Sequence, residues 1–252
     1  KNIVELVRQL KAIPGLKELA MTTNGTRLGP MAADLRAAGL DRLNISLDTL
    51  DEKNFREITG GAGLPDVLDG LERALAAGFS RVKLNTVVLR GINDAEIVDL
   101  ARLSVARPLT VRFIELFPTN KRSAKLNAAY FPTAETKARM EAALGPLQEL
   151  PRAAGGGPAR EYKLAGAAGS IGFISGRSDY FCNSCNRVRM DCTGKVYPCL
   201  FSPAAQELRP LLRGGAGDAA LDACIAKVFL VKSSYKKDSP TAGNIEMSSL
   251  GG

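Results

Sequence analysis

Apolar and polar positions along the first 118 residues alternate between the period of an amphipathic helix and that of a short buried strand. Two predicted helices end at a glycine, Gly39 and Gly78, and a strand-like run follows each one. Helices that alternate with strands are typical of an α/β fold. The predicted strands cover residues 17–22, 41–47, 81–89 and 110–115, and the predicted helices cover 1–10, 30–39, 65–77 and 94–106, the last capped by Asn93 or Asp94.

An internal repeat indicates how the strands are arranged. The segment that begins Ala-Ala-Gly at Ala37 recurs at Ala76, 39 positions later, and leads into a strand each time. Repeated helix–glycine–strand units of this length build parallel sheets. Four strands are too few to close an eight-stranded barrel. The sequence therefore predicts a partial, incomplete TIM-type barrel of parallel βα units over residues 1–118.

The pattern becomes less regular after residue 118, and we assign residues 119–252 to a separate C-terminal α+β region. The charged, serine-rich tail from Lys232 onward is typical of a disordered segment. The predicted elements of this region are a helix at 133–144 capped by Thr133, short strands at 162–164 and 170–175, and helices within 203–225.

Polar residues stand at the carboxyl ends of the predicted strands, inside otherwise apolar runs. Such side chains are costly to bury without hydrogen bonds, and parallel barrels carry their chemistry at this edge. They either satisfy one another inside the barrel or line a shared cavity, and their presence on successive strands favours the cavity. They are Ser46, Asp48, Lys83, Asn85 and Glu115.

The amino-acid composition limits the kinds of partner and chemistry that are expected for this protein. A net charge of +8 favours anionic partners, and the scarcity of aromatic residues near the basic segment ranks nucleic acid below a nucleotide. No run is apolar enough for a membrane span or a signal peptide, so no membrane partner is expected. Five clustered cysteines indicate a reducing compartment, the cytoplasm. The absence of histidine excludes Ser-His-Asp catalysis and histidine-based zinc hydrolysis.

Cys182, Cys185 and Cys199 give the strongest indication of chemistry. Three soft ligands leave one coordination position open, which favours an iron-sulfur cluster whose free iron contacts a substrate. Arg187 and Arg189 follow directly, and guanidinium groups bind phosphate or carboxylate. A cluster and an anion site would therefore share one segment.

Taken in order, these residues resemble the radical S-adenosylmethionine (SAM) enzymes of molybdenum cofactor biosynthesis, the protein A family. The resemblance extends over essentially the whole chain. Its motifs are Thr-Thr-Asn-Gly at 22–25, Leu-Asn-Ile-Ser-Leu-Asp-Thr-Leu-Asp at 43–51, Val-Lys-Leu-Asn at 82–85, Arg-Phe-Ile-Glu at 112–115, Phe-Cys-x-x-Cys-Asn-Arg-x-Arg at 181–189, Asp-x-Thr-Gly-Lys-x-x-Pro-Cys-Leu-Phe at 191–201 and Gly-Gly at 251–252.

The resemblance implies a GTP 3',8-cyclase, which converts GTP to (8S)-3',8-cyclo-7,8-dihydroguanosine 5'-triphosphate. In that family one 4Fe-4S cluster cleaves SAM, the resulting radical abstracts a ribose hydrogen, and an auxiliary 4Fe-4S cluster binds the guanine. The resemblance also implies a homodimer, transfer of the product to the cyclic pyranopterin monophosphate synthase, and a terminal Gly-Gly that reaches the active site. By motif, Cys182, Cys185 and Cys199 would ligate the auxiliary cluster, Thr22, Lys83, Arg187, Val188 and Arg189 would bind GTP, and Ser46 and Phe117 would bind SAM.

Four departures from the family pattern qualify this prediction. None of the five cysteines has the Cys-x3-Cys-x2-Cys spacing that holds the SAM-cleaving cluster. We therefore expect an N-terminal segment of about two βα units to be missing, and the chain alone to be inactive towards SAM. Phe117 replaces a methionine whose contact is made by the backbone, and Asp179 replaces a histidine. Cys192 is either a fourth ligand or, as we favour, a small buried residue, and Cys224 is interpreted as a packing residue.

Two other functions stay open. A radical SAM enzyme of the peptide-maturase type would also place a glycine before a cluster cysteine, as Gly194 precedes Cys199. The Cys-Asn-Arg-x-Arg stretch and the Gly-Gly terminus argue against it. A non-catalytic zinc module would use Cys182, Cys185, Cys192 and Cys199 as its ligands, and iron analysis would distinguish it from the radical enzymes.

Overall fold

The parallel strands predicted from the sequence form the main sheet of the protein. In the computed structural model, which describes residues 2–61, 63–117, 124–152, 157–179, 185–202 and 205–234, this sheet has the strand order β1-β2-β3-β4-β7-β6-β5. The four predicted strands pair in parallel, β7 continues the parallel part next to β4, and β6 and β5 are antiparallel. The strands are β1 Ala20–Thr23, β2 Arg42–Ser46, β3 Val82–Val87, β4 Thr110–Ile114, β5 Gln148–Glu149, β6 Arg160–Lys163 and β7 Ser170–Ile174.

Helices connect the parallel strands, as the alternating pattern predicts. The helix over Glu52–Thr59 was not predicted, although Asp51 gives it a side-chain cap by accepting a hydrogen bond from the Asn54 N–H at 2.8 Å. The helices of this part are α1 Ile3–Lys11, α2 Ala32–Ala37, α3 Glu52–Thr59, α4 Leu64–Ala76, α5 Ile97–Ala106 and α6 Thr133–Leu144, and short 3-10 turns at Gly29–Met31 and Asp94–Glu96 precede α2 and α5.

One face of the sheet builds the hydrophobic core. Alternate strand residues such as Leu43, Ile45 and Leu84 are fully buried, because side chains two positions apart point to the same face of a strand. They pack in one cluster with helix residues such as Leu71 and Leu100. The opposite face carries the polar residues described below.

The predicted caps of α5 and α6 are both wrong. The Asn93 side chain bonds loop backbone instead, since its Oδ1 accepts from the Leu89 N–H at 2.7 Å and its amide donates to two carbonyl groups. Asp94 accepts from the Gly91 N–H at 2.6 Å. Thr133 is the first residue of α6 and not its cap. Hydrogen bonds to the backbone of the preceding loop therefore take Asn93 and Asp94 away from capping.

The chain forms two compact units that do not follow the predicted division after residue 118. The first unit comprises Lys1–Glu115 and Ala129–Ser175, and the second comprises Leu116–Ala128 and Gly176–Gly252. Residues 129–175 belong to the first unit because β7 pairs with β4 and extends its sheet. The assignment of residues 1–118 and 119–252 to two domains stays a prediction.

The second unit holds a small antiparallel sheet with the strand order β10-β9-β8. Asp191 stabilises the β8–β9 turn by accepting hydrogen bonds from the N–H groups of Thr193 and Lys195 at 2.8 and 3.1 Å. In the part of the chain that the structure describes, every helix is too short or too polar to cross a membrane. The remaining elements are β8 Arg189–Met190, β9 Lys195–Tyr197, β10 Gln206–Glu207, α7 Arg209–Arg213 and α8 Asp218–Ser234.

Candidate functional site

The side of the main sheet opposite the core is lined with polar side chains, and we call it the polar face. Strand register places Thr22, Asn44 and Lys83 in one row across β1, β2 and β3. The next row runs across β2, β3, β4 and β6, with β7 contributing Gly172. The polar face comprises Thr22, Asn44, Ser46, Lys83, Asn85, Arg112 and Glu161, all half-buried.

A hydrogen-bond network on the polar face fixes the Arg112 guanidinium. Its Nε donates to Asn85 Oδ1 and its Nη2 donates to Asn44 Oδ1, both at 2.8 Å. The Asn44 amide in turn donates to the Thr22 hydroxyl at 3.3 Å. Asn44 and Arg112 were not among the predicted site residues. The strand alternation could have identified them, because each lies two positions from another residue of the same face.

Lys83 has a counter-ion that the sequence did not reveal. Its Nζ lies 2.8 Å from Glu161 Oε1. The side chain of Lys83 is only 19% exposed, so the charge pair is partly shielded from water. Glu161 lies on β6, in the region where the sequence pattern is less regular, and no local pattern marks it, because its partner is 78 residues away.

Two of the polar residues predicted to share a cavity instead hold backbone. The Glu115 carboxylate is 2% exposed and accepts a hydrogen bond from the Thr133 N–H at 2.9 Å, at the start of α6. The Asp48 carboxylate accepts from the Val87 N–H at 2.8 Å. These two carboxylates thus bond backbone, while Ser46, Lys83 and Asn85 share the polar face, and the shared cavity stays a prediction.

The burial of the Asp48 carboxylate can be tested through the dependence of protein stability on pH. Desolvation raises the pKa of Asp48 above its ordinary value of 3.8, against the opposing hydrogen bond from Val87. A raised pKa in the folded state means that its contribution to stability is complete below pH 3.8 and is lost as the pH rises through the folded-state pKa. Asp48→Asn keeps an acceptor and removes the charge. We expect the variant to gain stability relative to wild type as the pH rises from about 4 through the folded-state pKa of Asp48.

Thermal unfolding at several pH values measures this difference. The control is the same substitution at Asp66, which is exposed at the start of α4. A difference in Tm between Asp48→Asn and wild type that stays constant with pH would contradict the assignment.

The second unit contains the cysteine segment. Cys182 lies outside the described residues, whereas Cys185 and Cys199 are half-buried free thiols. Burial alone would raise the pKa of the Cys185 thiol, but hydrogen bonds from Arg187 and the charges of Arg187 and Lys232 outweigh it and lower that pKa. Cys185 therefore loses its proton more readily than an ordinary cysteine.

Arg189 lies close to both thiols. Burial and the neighbouring charge of Arg187 lower the pKa of Arg189, while Cys185 and Cys199 act in the opposite direction. The Arg187 guanidinium hydrogen-bonds the Cys185 thiol and Arg189 interacts electrostatically with Cys185 and Cys199, which agrees with the predicted common location of ligands and cations. Val188 between them is 39% exposed, which leaves its backbone near the surface.

Lys232 is a further cation at this position that sequence analysis missed. It was assigned to a disordered tail, but it lies near the end of α8, with its Nζ 3.6 Å from Cys185 Sγ. The sequence predicts helices within 203–225, before Lys232. A local pattern cannot, however, indicate a partner 47 positions away.

The other predicted residues of the second unit have different surroundings. The Phe117 ring packs against Phe201 with ring centroids 6.0 Å apart. Cys192 is exposed in the β8–β9 turn, so the prediction of a buried residue is wrong. In the same turn, hydrogen bonds led by the Thr193 hydroxyl lower the pKa of Asp191 to about 2 and hold it as a carboxylate. Cys224 is half-buried on α8.

The described part of the donor set suits a thiolate-bound metal. Metals bind the thiolate form of cysteine, and the surroundings of Cys185 lower the pKa of its thiol. Cys199 and Cys185 both interact electrostatically with the guanidinium of Arg189. Within the described ranges no group of three metal-binding side chains occurs. The third predicted ligand, Cys182, falls between those ranges.

Comparison with known families gives two matches, which together cover most of the chain. Residues 1–104 match the profile of the radical SAM superfamily, and residues 109–237 match that of Molybdenum Cofactor Synthesis C. The two matches together describe a radical SAM protein of molybdenum cofactor synthesis.

Similar proteins extend over nearly the whole chain. A protein of Pelotomaculum thermopropionicum named GTP 3',8-cyclase is 44% identical over 92% of this chain and 71% of its own length. Proteins with the same name from Moorella thermoacetica and Pseudomonas entomophila are 45% and 40% identical, over 92% and 98% of this chain and 71% and 74% of their own lengths. The chain belongs to the GTP 3',8-cyclase family, which confirms the resemblance stated from its motifs.

Proposed function

We propose that this chain acts in the conversion of GTP to (8S)-3',8-cyclo-7,8-dihydroguanosine 5'-triphosphate by SAM-derived radical chemistry. The observation that carries the proposal is the placement of Arg187 and Arg189 beside Cys185, in a family whose members are named for this reaction. Family membership decides against the peptide-maturase alternative. Iron analysis tests the zinc alternative.

The cysteine segment would hold the auxiliary cluster. Cys182, Cys185 and Cys199 would ligate a 4Fe-4S cluster, and Cys192 is not needed as a ligand. With three protein ligands, such a cluster would supply the guanine base with an iron to bind. Arg187 and Lys232 would favour this ligation at Cys185, since both stabilise its negative form.

The same segment would bind the nucleotide. GTP carries about four negative charges at neutral pH, and fixed cations bind phosphate strongly where water screens them poorly. Arg187 and Arg189 would donate to the phosphates or the base, with the backbone of Val188 between them. Arg187 is already oriented before GTP arrives, because it hydrogen-bonds the Cys185 thiol, and Arg189 interacts electrostatically with the same thiol.

The polar face would supply further GTP contacts through Thr22 and Lys83. In the free protein Lys83 is paired with Glu161 at 2.8 Å. A phosphate group would therefore compete with a carboxylate for this ammonium, and the affinity gained would be the difference between two charge-assisted bonds. Thr22 is held in place by Asn44, so its hydroxyl hydrogen can turn towards a ligand.

SAM would contact Ser46 and the backbone of Phe117. Ser46 is the last residue of β2, at the carboxyl end of a parallel strand, where barrel enzymes carry their reactive groups. We interpret the parallel sheet with its connecting helices as a partial TIM-type barrel. Such a barrel keeps radical intermediates away from water and reductants.

The remaining expectations follow the family. We propose a homodimer that acts in the reducing cytoplasm and passes its product to the cyclic pyranopterin monophosphate synthase. The clustered, odd number of cysteines supports a reducing compartment. The five cysteines include no Cys-x3-Cys-x2-Cys spacing, so the decisive test of this chain measures binding and not SAM cleavage.

That test is anaerobic iron-sulfur reconstitution of the chain, followed by GTP titration monitored through the cluster spectrum. We expect about four irons and four sulfides per chain and a spectral signal that GTP perturbs and ATP does not. Uptake of zinc in place of iron, or a cluster whose spectrum is insensitive to GTP, would contradict the proposed role of the cysteine segment.

A further inference from the structure

Helix α8 brings one ammonium group to two different segments of the second unit. Lys232 Nζ lies 3.6 Å from Cys185 Sγ and donates to the carbonyl of Pro198 at 3.1 Å. Pro198 immediately precedes Cys199. A single side chain therefore contacts a proposed cluster ligand and the residue next to another, although the two lie on separate parts of the chain.

We propose that Lys232 is a positioning residue for the auxiliary cluster, which it serves by joining the segments of Cys185 and Cys199; the inference rests on the proposed function of those cysteines. An ammonium group has three donor hydrogens, so it can bond the carbonyl and a sulfur at the same time. It holds the two ligand segments at a fixed separation. It also places a positive charge beside the sulfur of Cys185.

The position of Lys232 is set by packing. Val228 lies one helical turn earlier and is only 2% exposed, so α8 is anchored on this side. Lys232 itself is half-buried, whereas Lys227 on the same helix is exposed. A lysine that merely solubilised the helix would extend its charged end into water. Here the charged end is directed to sulfur and a backbone carbonyl.

The charge has a consequence for the cluster. The reduction potential of an iron-sulfur cluster rises with positive charge and with hydrogen bonds to its sulfurs, because both stabilise the added electron. Lys232 supplies both to Cys185. Its removal should therefore lower the potential, and an arginine at the same position should restore most of it, because arginine keeps the charge and the donors.

The experiment compares Lys232→Gln and Lys232→Arg with wild type and with the matched control Lys227→Gln, all as the full chain. The first measurement is hydrogen exchange of the metal-free proteins over residues 185–190 and 198–202. We expect the Lys232→Gln variant to exchange about fivefold to tenfold faster in both segments, as loss of the joining hydrogen bonds predicts. Lys232→Arg and Lys227→Gln should exchange like wild type.

The second measurement is a redox titration of the reconstituted proteins. We expect a lower reduction potential for Lys232→Gln and a potential near that of wild type for the other two variants. Unchanged exchange together with an unchanged potential in Lys232→Gln would overturn the proposal. If wild type itself bound no cluster, the proposed function would fail, while the exchange measurement would still decide whether Lys232 joins the two segments. Far-ultraviolet circular dichroism identifies any variant that does not fold.

Discussion

Replacing Arg187 and Arg189 together by alanine will weaken GTP binding at least about 100-fold, because each guanidinium contributes charge-assisted hydrogen bonds of about 1.5–3 kcal/mol to an anionic ligand. Both side chains are partly buried and interact with Cys185, Arg187 through a hydrogen bond and Arg189 electrostatically. Their charge is thus poorly screened and already in place before the ligand binds. Each single variant should show a smaller loss.

The measurement is isothermal titration of the reconstituted chain with GTP at two salt concentrations. Arg213→Ala is the matched control, since it removes the same charge from an exposed position at the end of α7 in the same unit. The double variant must retain iron, which analysis before titration verifies. Equal affinity for GTP in the double variant and in Arg213→Ala would refute the assignment.

Replacing Gly169 by alanine will destabilise the first unit by at least about 3 kcal/mol, among the larger effects of a single substitution. An added Cβ would lie 2.0 Å from the Leu109 carbonyl oxygen and 2.7 Å from that of Arg107. Both are backbone atoms at the entry of β4, so no side chain can turn away. Accommodation would have to separate β7 from β4 at their first paired residues, Ser170 and Thr110.

Thermal unfolding monitored by circular dichroism should show a fall in Tm of about 6–12 °C for this variant. Gly157→Ala is the control, because an added Cβ there meets no atom within 4 Å. Its Tm should remain close to that of wild type. Hydrogen exchange should show that Gly169→Ala loses protection mainly in β4 and β7. A loss of protection that is equal in all strands of the sheet would contradict the explanation.

Local periodicity predicted most of the regular structure of the first unit. The strands at Arg42–Ser46 and Val82–Val87 were found because they alternate with helices whose apolar faces repeat every three to four residues. The short helix at Glu52–Thr59 was missed. Its composition is largely polar, and it has only one buried residue, Phe55. The signal that remained was its cap, Asp51.

The same periodicity could not determine how the later strands join the sheet. Residues 170–175 were predicted as a strand, but their partner was not. The structure pairs Ser170 with Thr110, 60 positions earlier, so that β7 becomes the fifth parallel strand. Strand partners at such separations are selected by packing against the existing sheet and not by the sequence of either strand.

The sequence by itself determined the class of this protein and most of its chemistry: a parallel α/β region, a cysteine segment with two adjacent arginines, and a collinear set of family motifs. These features are local, because residue type and spacing within about ten positions define them. Only the tertiary structure decided which charges meet. Glu161 pairs with Lys83 and Lys232 reaches Cys185 across 78 and 47 positions. Such contacts depend on how sheets and helices pack, and a long, flexible side chain has no preferred partner until packing places one within reach.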